Sequence, residues 1–253
     1  GPWLMEQMID QAKQVGCRVF NEIITEVDLT SRPFKFFTSN ENFFLANSVI
    51  ISTGASAKWL GLDSEKKYTG YGVSACATCD AFFFKNKTVA VVGGGNTAVE
   101  EALFLTKFAN KVILVHRRDK LRADKVLQKR LFKNKKIQII WNSTVIDIIG
   151  DAAPKKVSQI KLRNSIDNSL SNIKVDGVFI AIGHKPNTNL FINKIDLDKE
   201  GYIQTYDQIF TNIPGVFAAG DVHDKDYRQA VTAAGYGCMA ALEVEKFLVS
   251  IKN

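Results

Sequence analysis

Thr88-Val89-Ala90-Val91-Val92-Gly93-Gly94-Gly95-Asn96-Thr97-Ala98 is the stretch that decides the fold. The mostly β-branched run from Thr88 to Val92 predicts a buried strand, the three glycines break it, and Thr97 to Phe108 reads as a helix with Ala98, Leu103 and Leu105 available for packing. Lys111 to Val115 supplies a second strand, so one βαβ unit lies within about 30 residues. The loop fits G-x-G-x-x-A. Gly93 serves the tight turn, Gly95 allows close backbone approach to a pyrophosphate, and Ala98 packs helix on strand, while Asn96 and Thr97 open a helix whose first amides can hold phosphate. An ordinary glycine-rich loop is the alternative, and the flanking strand and helix favour a dinucleotide site.

Enzymes that use NAD usually keep an acid about 20 residues further on, at the end of the second strand, for the ribose hydroxyl. This chain has none there. It has His116-Arg117-Arg118, with Arg122 one helical turn beyond. An acid repels a 2′-phosphate, whereas guanidinium groups bind it through charge-assisted hydrogen bonds worth roughly 1.5–3 kcal/mol each. NADPH is therefore the expected cofactor, with His116, Arg117, Arg118 and Arg122 at its phosphate. The alternative is a solvated basic helix start.

Ahead of this unit lies Cys76-Ala77-Thr78-Cys79-Asp80. Zinc would need a second pair of ligands at matching spacing, and the chain offers only the scattered Cys17, Cys238, His116, His184 and His223, so no metal is expected. Two thiols three positions apart can close a disulfide at a helix start, where terminal amides stabilise a thiolate, and Asp80 adds a carboxyl able to move a proton. A structural or fortuitous pair is the competing reading. Cys17 and Cys238 are expected to be buried small hydrophobes.

Composition sets the outer limits. With 253 residues, 46% hydrophobic and 23% charged, the chain has material for one or two cores, and disorder is excluded. No apolar run approaches the ~18 residues of a membrane span, and Gly1 to Glu6 lack the features of a signal peptide, so a soluble cytoplasmic protein is expected. The net charge of +7 is dispersed, its densest stretch being His116 to Lys136 behind the second strand. With no aromatic-interleaved basic stripe, a nucleic-acid or membrane partner is not expected.

Outside the βαβ unit, Trp3 to Val15 predicts an amphipathic helix, followed by β-rich pieces at Arg18 to Phe20, Ile23 to Leu29, Phe34 to Thr38 and Phe43 to Leu45. Strands are also expected at Ser48 to Ser52, Ile137 to Trp141, Thr144 to Ile149, Val157 to Leu162, Ile173 to Ala181 and Val216 to Ala219, with a hairpin-like Tyr202 to Gln204 and a last helix from Ala230 to Val249. A strand running into glycine recurs at Thr53-Gly54, Gly93 to Gly95, Ile182-Gly183 and Gly220-Asp221. That recurrence suits an α/β chain with two interleaved Rossmann-like nucleotide-binding folds.

A redox pair just ahead of an NADPH-type unit, then Gly215-Val216-Phe217-Ala218-Ala219-Gly220-Asp221 near the end, resembles the bacterial low-molecular-weight thioredoxin reductases. The likeness includes Thr53 to Ala57, Gly72 to Asp80, Gly93 to Glu101, His116 to Asp119, Ala181 to His184 and Tyr227 to Ala230, and covers essentially the whole chain. It implies electron flow from NADPH to FAD, then to the cysteine disulfide, then to thioredoxin. On this reading Cys79 faces the flavin, Cys76 attacks the partner disulfide and Asp80 handles the proton. Thr53 and Gly54 belong to the FAD site, Gly220 and Asp221 meet its ribityl and phosphate region, and Arg228, Gln229 and Ala230 lie along the isoalloxazine ring. Residues 1–57 and 181–253 become two parts of an FAD domain with the NADPH domain, 58–180, inserted. Hinges near Ala57-Lys58 and Ala181 to Gly183 and a homodimer are also implied. The direction is chemically sound: thioredoxin is itself reducing, at about −270 mV, so its reductant must draw on a stronger donor such as a nicotinamide relayed through flavin.

Two departures stand out. Ala81 replaces a more usual glycine, which asks only for ordinary backbone angles. The family's opening strand, first glycine loop and helix for the FAD pyrophosphate are not in this sequence, so the chain as given is expected to bind FAD roughly a hundredfold more weakly or worse, with little reductase activity. The rivals are a related reductase serving a peroxidase, an oxygen-using dithiol oxidase, which the basic cluster disfavours, and a non-catalytic NADPH-binding module, which the intact Cys76, Cys79 and Asp80 disfavour.

Overall fold

The computed structural model describes residues 2–252. Two compact units emerge, one formed by residues 1–55 with 186–253 and the other by 56–185.

The 56–185 unit has three layers. Its centre is a five-stranded parallel sheet in the order Val73–Ser74, Gly177–Ala181, Thr88–Gly93, Lys111–Val115, Ile137–Ile140. Because successive side chains alternate between faces, the continuous apolar runs of the inner strands feed two cores. Val89, Val91, Val112, Leu114 and Phe179 pack against Ala98, Val99, Ala102 and Leu105 of the helix Asn96–Leu105. On the opposite face Ala90, Val92, Ile113, Val115, Val178 and Ile180 meet Val145, Ile148, Ile160 and Leu162. The latter four come from an antiparallel sheet of Ser143–Ala152, Lys155–Asn164 and Leu170–Lys174. The expected βαβ unit is thus in place, its helix ending three residues early at Leu105, where Thr106 turns its hydroxyl onto Leu103 O at 2.7 Å.

The other unit contains the antiparallel meander Ile24–Asp28, Phe34–Thr38, Phe43–Ala46, and a parallel pair, Val49–Ile51 with Val216–Ala218. Its main core gathers Val27, Leu29, Phe34, Ile51, Phe191, Ile203, Val216 and Val222; Ile209, Phe217 and Ala219 form a second with Ala240 of the helix Ala230–Ser250.

Several expectations need correction here. Pro2–Gln14 is the predicted helix, but none of its described residues is buried, and Trp3, Leu4, Met5, Met8 and Ile9 are 42–69% exposed. Arg18 to Phe20 forms no strand; Phe20 instead lays its ring against Phe44, centroids 4.9 Å apart. Tyr202 to Gln204 contributes one bridge, Leu197 to Ile203, instead of a hairpin. Cys17 and Cys238 are exposed. Cys17 follows the uncovered helix and Cys238 lies on a helical face that nothing among the described residues covers, so small size and apolarity alone did not bury them.

Candidate functional site

The glycine loop is shaped by what surrounds it. A Cβ on Gly93 would stand 2.3 Å from the carbonyl oxygen of Ala181 and 2.7 Å from the Cβ of Ala98, and one on Gly94 would stand 2.2 Å from the His116 ring. Neither position admits a side chain. Gly95 faces open space and caps the helix Asn96–Leu105 without a side-chain hydrogen bond, leaving the first amides of that helix available to an anion.

These residues line a cavity of about 530 Å³ together with Thr97, His116, Arg117 and Arg122. Ala98 lies behind it, fully buried. Arg118 is exposed and outside the cavity wall. His116, 5% exposed, sets its two ring nitrogens 2.9 Å from the carbonyl oxygens of Gly93 and Lys120, so its hydrogen bonding goes to the backbone. Asn96 likewise turns to Asp124, donating to its carboxylate at 2.9 Å and accepting from its backbone N–H at 2.8 Å. Ser143 and Thr144 also line the cavity. Sequence reasoning missed them and Asp124, since nothing near them in sequence marks a nucleotide site. A dinucleotide fits this surface: a bare glycine cradle and free helix amides meet two guanidinium-bearing residues across one cavity.

In the same unit, Val73–Ser74 at the sheet edge delivers the chain into Cys76. Ser74 Oγ accepts the Cys76 N–H at 3.0 Å, and Cys76 caps the one-turn helix Ala77–Asp80 by accepting the Cys79 N–H on its sulfur at 3.2 Å. Cys76 and Cys79 form a disulfide with Cα atoms 5.3 Å apart. The Thr78 hydroxyl is 3.3 Å from the Cys76 sulfur. Ala77, Ala81 and Phe84 anchor this turn in the core, while Phe82 and Phe83 are 70% and 69% exposed. Asp80, half-buried, borders a separate cleft with Phe83, Lys87, Lys155 and Lys156.

The second group of candidate residues gathers in the other unit. Gly54, Gly220, Asp221, Arg228, Gln229 and Ala230 line a cavity of about 640 Å³ with Ile50 and Ser52. Thr53 lies outside that lining, its hydroxyl donating to Asn187 O at 2.8 Å. Burial pushes the Asp221 carboxyl up, Asp224 adds repulsion, and Arg228 partly offsets both. The loop carrying Arg228 is organised by Asp224, whose carboxylate accepts the N–H groups of Asp226, Tyr227 and Arg228 at 3.0, 2.9 and 3.2 Å. Burial raises the Asp224 pKa, but these donors outweigh it and leave the group below its ordinary 3.8.

Asp224→Ala is therefore expected to lower stability at neutral pH by about 2 kcal/mol. With the folded pKa depressed, the charge-dependent part of the contribution is present above 3.8 and fades as the pH falls further, so the gap between parent and variant should narrow in acid. Urea unfolding at a series of pH values measures this, and a gap independent of pH would contradict it.

Residues 8–237 match the pyridine nucleotide-disulphide oxidoreductase family. The chain is 59% identical over 249 residues to the thioredoxin reductase of Rickettsia conorii, spanning 98% of this chain and 80% of that protein. It is 48% identical over 261 residues to that of Coxiella burnetii, spanning 100% and 81%. Among solved structures, the thioredoxin reductase of Streptococcus pyogenes superposes with a TM-score of 0.93 at 41% identity, covering 99% of this chain and 81% of that one. The enzyme from Giardia duodenalis gives 0.92 at 41% identity, covering 98% and 81%.

Proposed function

This chain belongs to the pyridine nucleotide-disulphide oxidoreductases and, within them, to the thioredoxin reductase family, and from that premise we propose how its residues divide the work. It is an NADPH-dependent flavoprotein disulfide reductase with FAD and NADPH as cofactors. In our reading the 56–185 unit holds NADPH, with Gly93, Gly95 and Thr97 at the pyrophosphate and Arg117 and Arg122 at the 2′-phosphate. The unit of 1–55 and 186–253 holds FAD along Gly54, Gly220, Asp221, Arg228, Gln229 and Ala230. FAD, when bound, supplies the two-electron relay between reduced nicotinamide and disulfide.

The observation that carries this reading is the Cys76–Cys79 disulfide in the unit that also bears the glycine-loop cavity. Two electrons and two protons open it to a pair of thiols. The Cys79 N–H and Thr78 hydroxyl at the Cys76 sulfur favour a thiolate there, which suits Cys76 to attack the thioredoxin disulfide. Cys79 then displaces the reduced partner and the pair closes again, with Asp80 as the nearby acid for proton transfer. The family's usual homodimer is the proposed assembly. Among the described residues no helix is long and apolar enough to cross a membrane. Free, exposed Cys17 and Cys238 suit a reducing compartment, and the cytoplasm is the proposed one.

Phe82 and Phe83, apolar and exposed two and three residues after Asp80, suit a protein substrate better than a small disulfide. Replacing both by alanine should raise KM for thioredoxin roughly tenfold with kcat changed less than about twofold, as expected for aromatic interface anchors. The assay is thioredoxin-dependent NADPH oxidation by the protein supplied with FAD. No such activity in the parent at FAD concentrations that saturate the site would overturn the function, whereas an unchanged KM would remove only the two phenylalanines.

A further inference from the structure

A 2′-phosphate and the pyrophosphate of NADPH hang from one ribose, so the subsites that read them must stand in fixed register. In this chain they come from different places. The glycine loop and helix start lie at 93–97, while Arg117 and Arg122 sit in a stretch without regular secondary structure after the strand Lys111–Val115. Both arginines are exposed. An exposed turn left to itself would sample many positions, and a guanidinium contact is lost within a fraction of an ångström to an ångström.

The turn is held partly by the Asn142 N–H donating to Arg118 O at 3.2 Å and by buried Leu121 and Ala123 in the core, and three further ties run to the glycine loop. Arg122 N–H donates to Gly94 O at 2.7 Å. His116 places its ring where a Gly94 side chain would be, with a nitrogen 2.9 Å from each of the Gly93 and Lys120 carbonyl oxygens, so either tautomer donates one of these bonds. Asn96 clasps Asp124 twice, at 2.8 and 2.9 Å. Through this pair the Asn96 side chain joins the helix start directly to the segment after Arg122.

We propose that Asn96, Asp124 and His116 are positioning residues that set the preference for NADPH over NADH by locking the arginine turn onto the glycine loop. This rests on the reading of the cavity as an NADPH site. It assigns to Asn96 and His116 an action exerted through Arg122, with no required contact to the nucleotide, and brings in Asp124, which the spacing of the motif does not mark.

Isothermal titration of the chain with NADP⁺ and NAD⁺ tests it without any turnover. Asn96→Ala should weaken NADP⁺ binding about tenfold and NAD⁺ binding less than about twofold. Arg122→Ala should do the same, and the double variant should lose no further selectivity, because Asn96 acts through Arg122. Asp124→Asn, whose amide oxygen still accepts from Asn96, should retain the parent's preference and controls for folding. Equal loss of both nucleotides in Asn96→Ala, or independent losses in the double variant, would overturn the inference while leaving the NADPH site intact. A parent chain that does not prefer NADP⁺ would overturn the site reading itself.

Discussion

Cys76→Ser and Cys79→Ser should each lower NADPH-dependent thioredoxin reduction by on the order of a thousandfold or more, because members of a unit that acts together are individually indispensable. Serine keeps the size and much of the hydrogen bonding of cysteine, including a group able to accept the Cys79 N–H in place of the Cys76 sulfur. What it lacks is the capacity to form and break a sulfur–sulfur bond, so the two-electron store disappears while the turn remains. The two variants should differ in one respect. Cys79→Ser leaves Cys76 free to attack thioredoxin with nothing to resolve the product, so a mixed disulfide should accumulate; Cys76→Ser should accumulate much less. Stopped turnover with mass analysis of trapped adducts measures both, and residual turnover near the parental rate in either variant would end the dithiol mechanism.

Arg117→Ala combined with Arg122→Ala should weaken NADP⁺ binding by about a hundredfold or more, since each charge-assisted contact is worth roughly 1.5–3 kcal/mol. NAD⁺, which lacks the 2′-phosphate, should bind with little change. Neither arginine is part of the buried core, so the unfolding midpoint should move little. Raising the salt concentration should narrow the gap in NADP⁺ affinity, because exposed charges are screened. Parallel losses for the two nucleotides would show that the arginines serve something other than the phosphate.

Much of the site was legible because it is local. Gly93, Gly94 and Gly95 mark themselves by spacing between a strand and a helix, and the structure shows why two of them carry no side chain: Ala181, Ala98 and His116 occupy the space. Cys76 and Cys79 are legible for the same reason, since three positions of separation across one helical turn suffice to join them. His116 was harder. Its neighbours in sequence suggested a phosphate ligand, and only the folded chain sets its ring against the carbonyls of Gly93 and Lys120. Ser143 and Thr144 were not legible at all, because the strand that begins with them reaches the cavity through long-range packing.

The sequence by itself determined the βαβ unit, the absence of an acid where the ribose hydroxyl would be read, and the dithiol. Each depends on backbone permission or charge within a few residues, which composition and spacing express directly. Tertiary structure alone decided that Asn96 reaches Asp124, that Arg118 stays outside the cavity lined by Arg117 and Arg122, and that the apolar Trp3 to Ile9 face and two of the cysteines remain exposed. Burial and register are properties of what the rest of the chain places alongside a residue, so no local pattern can state them.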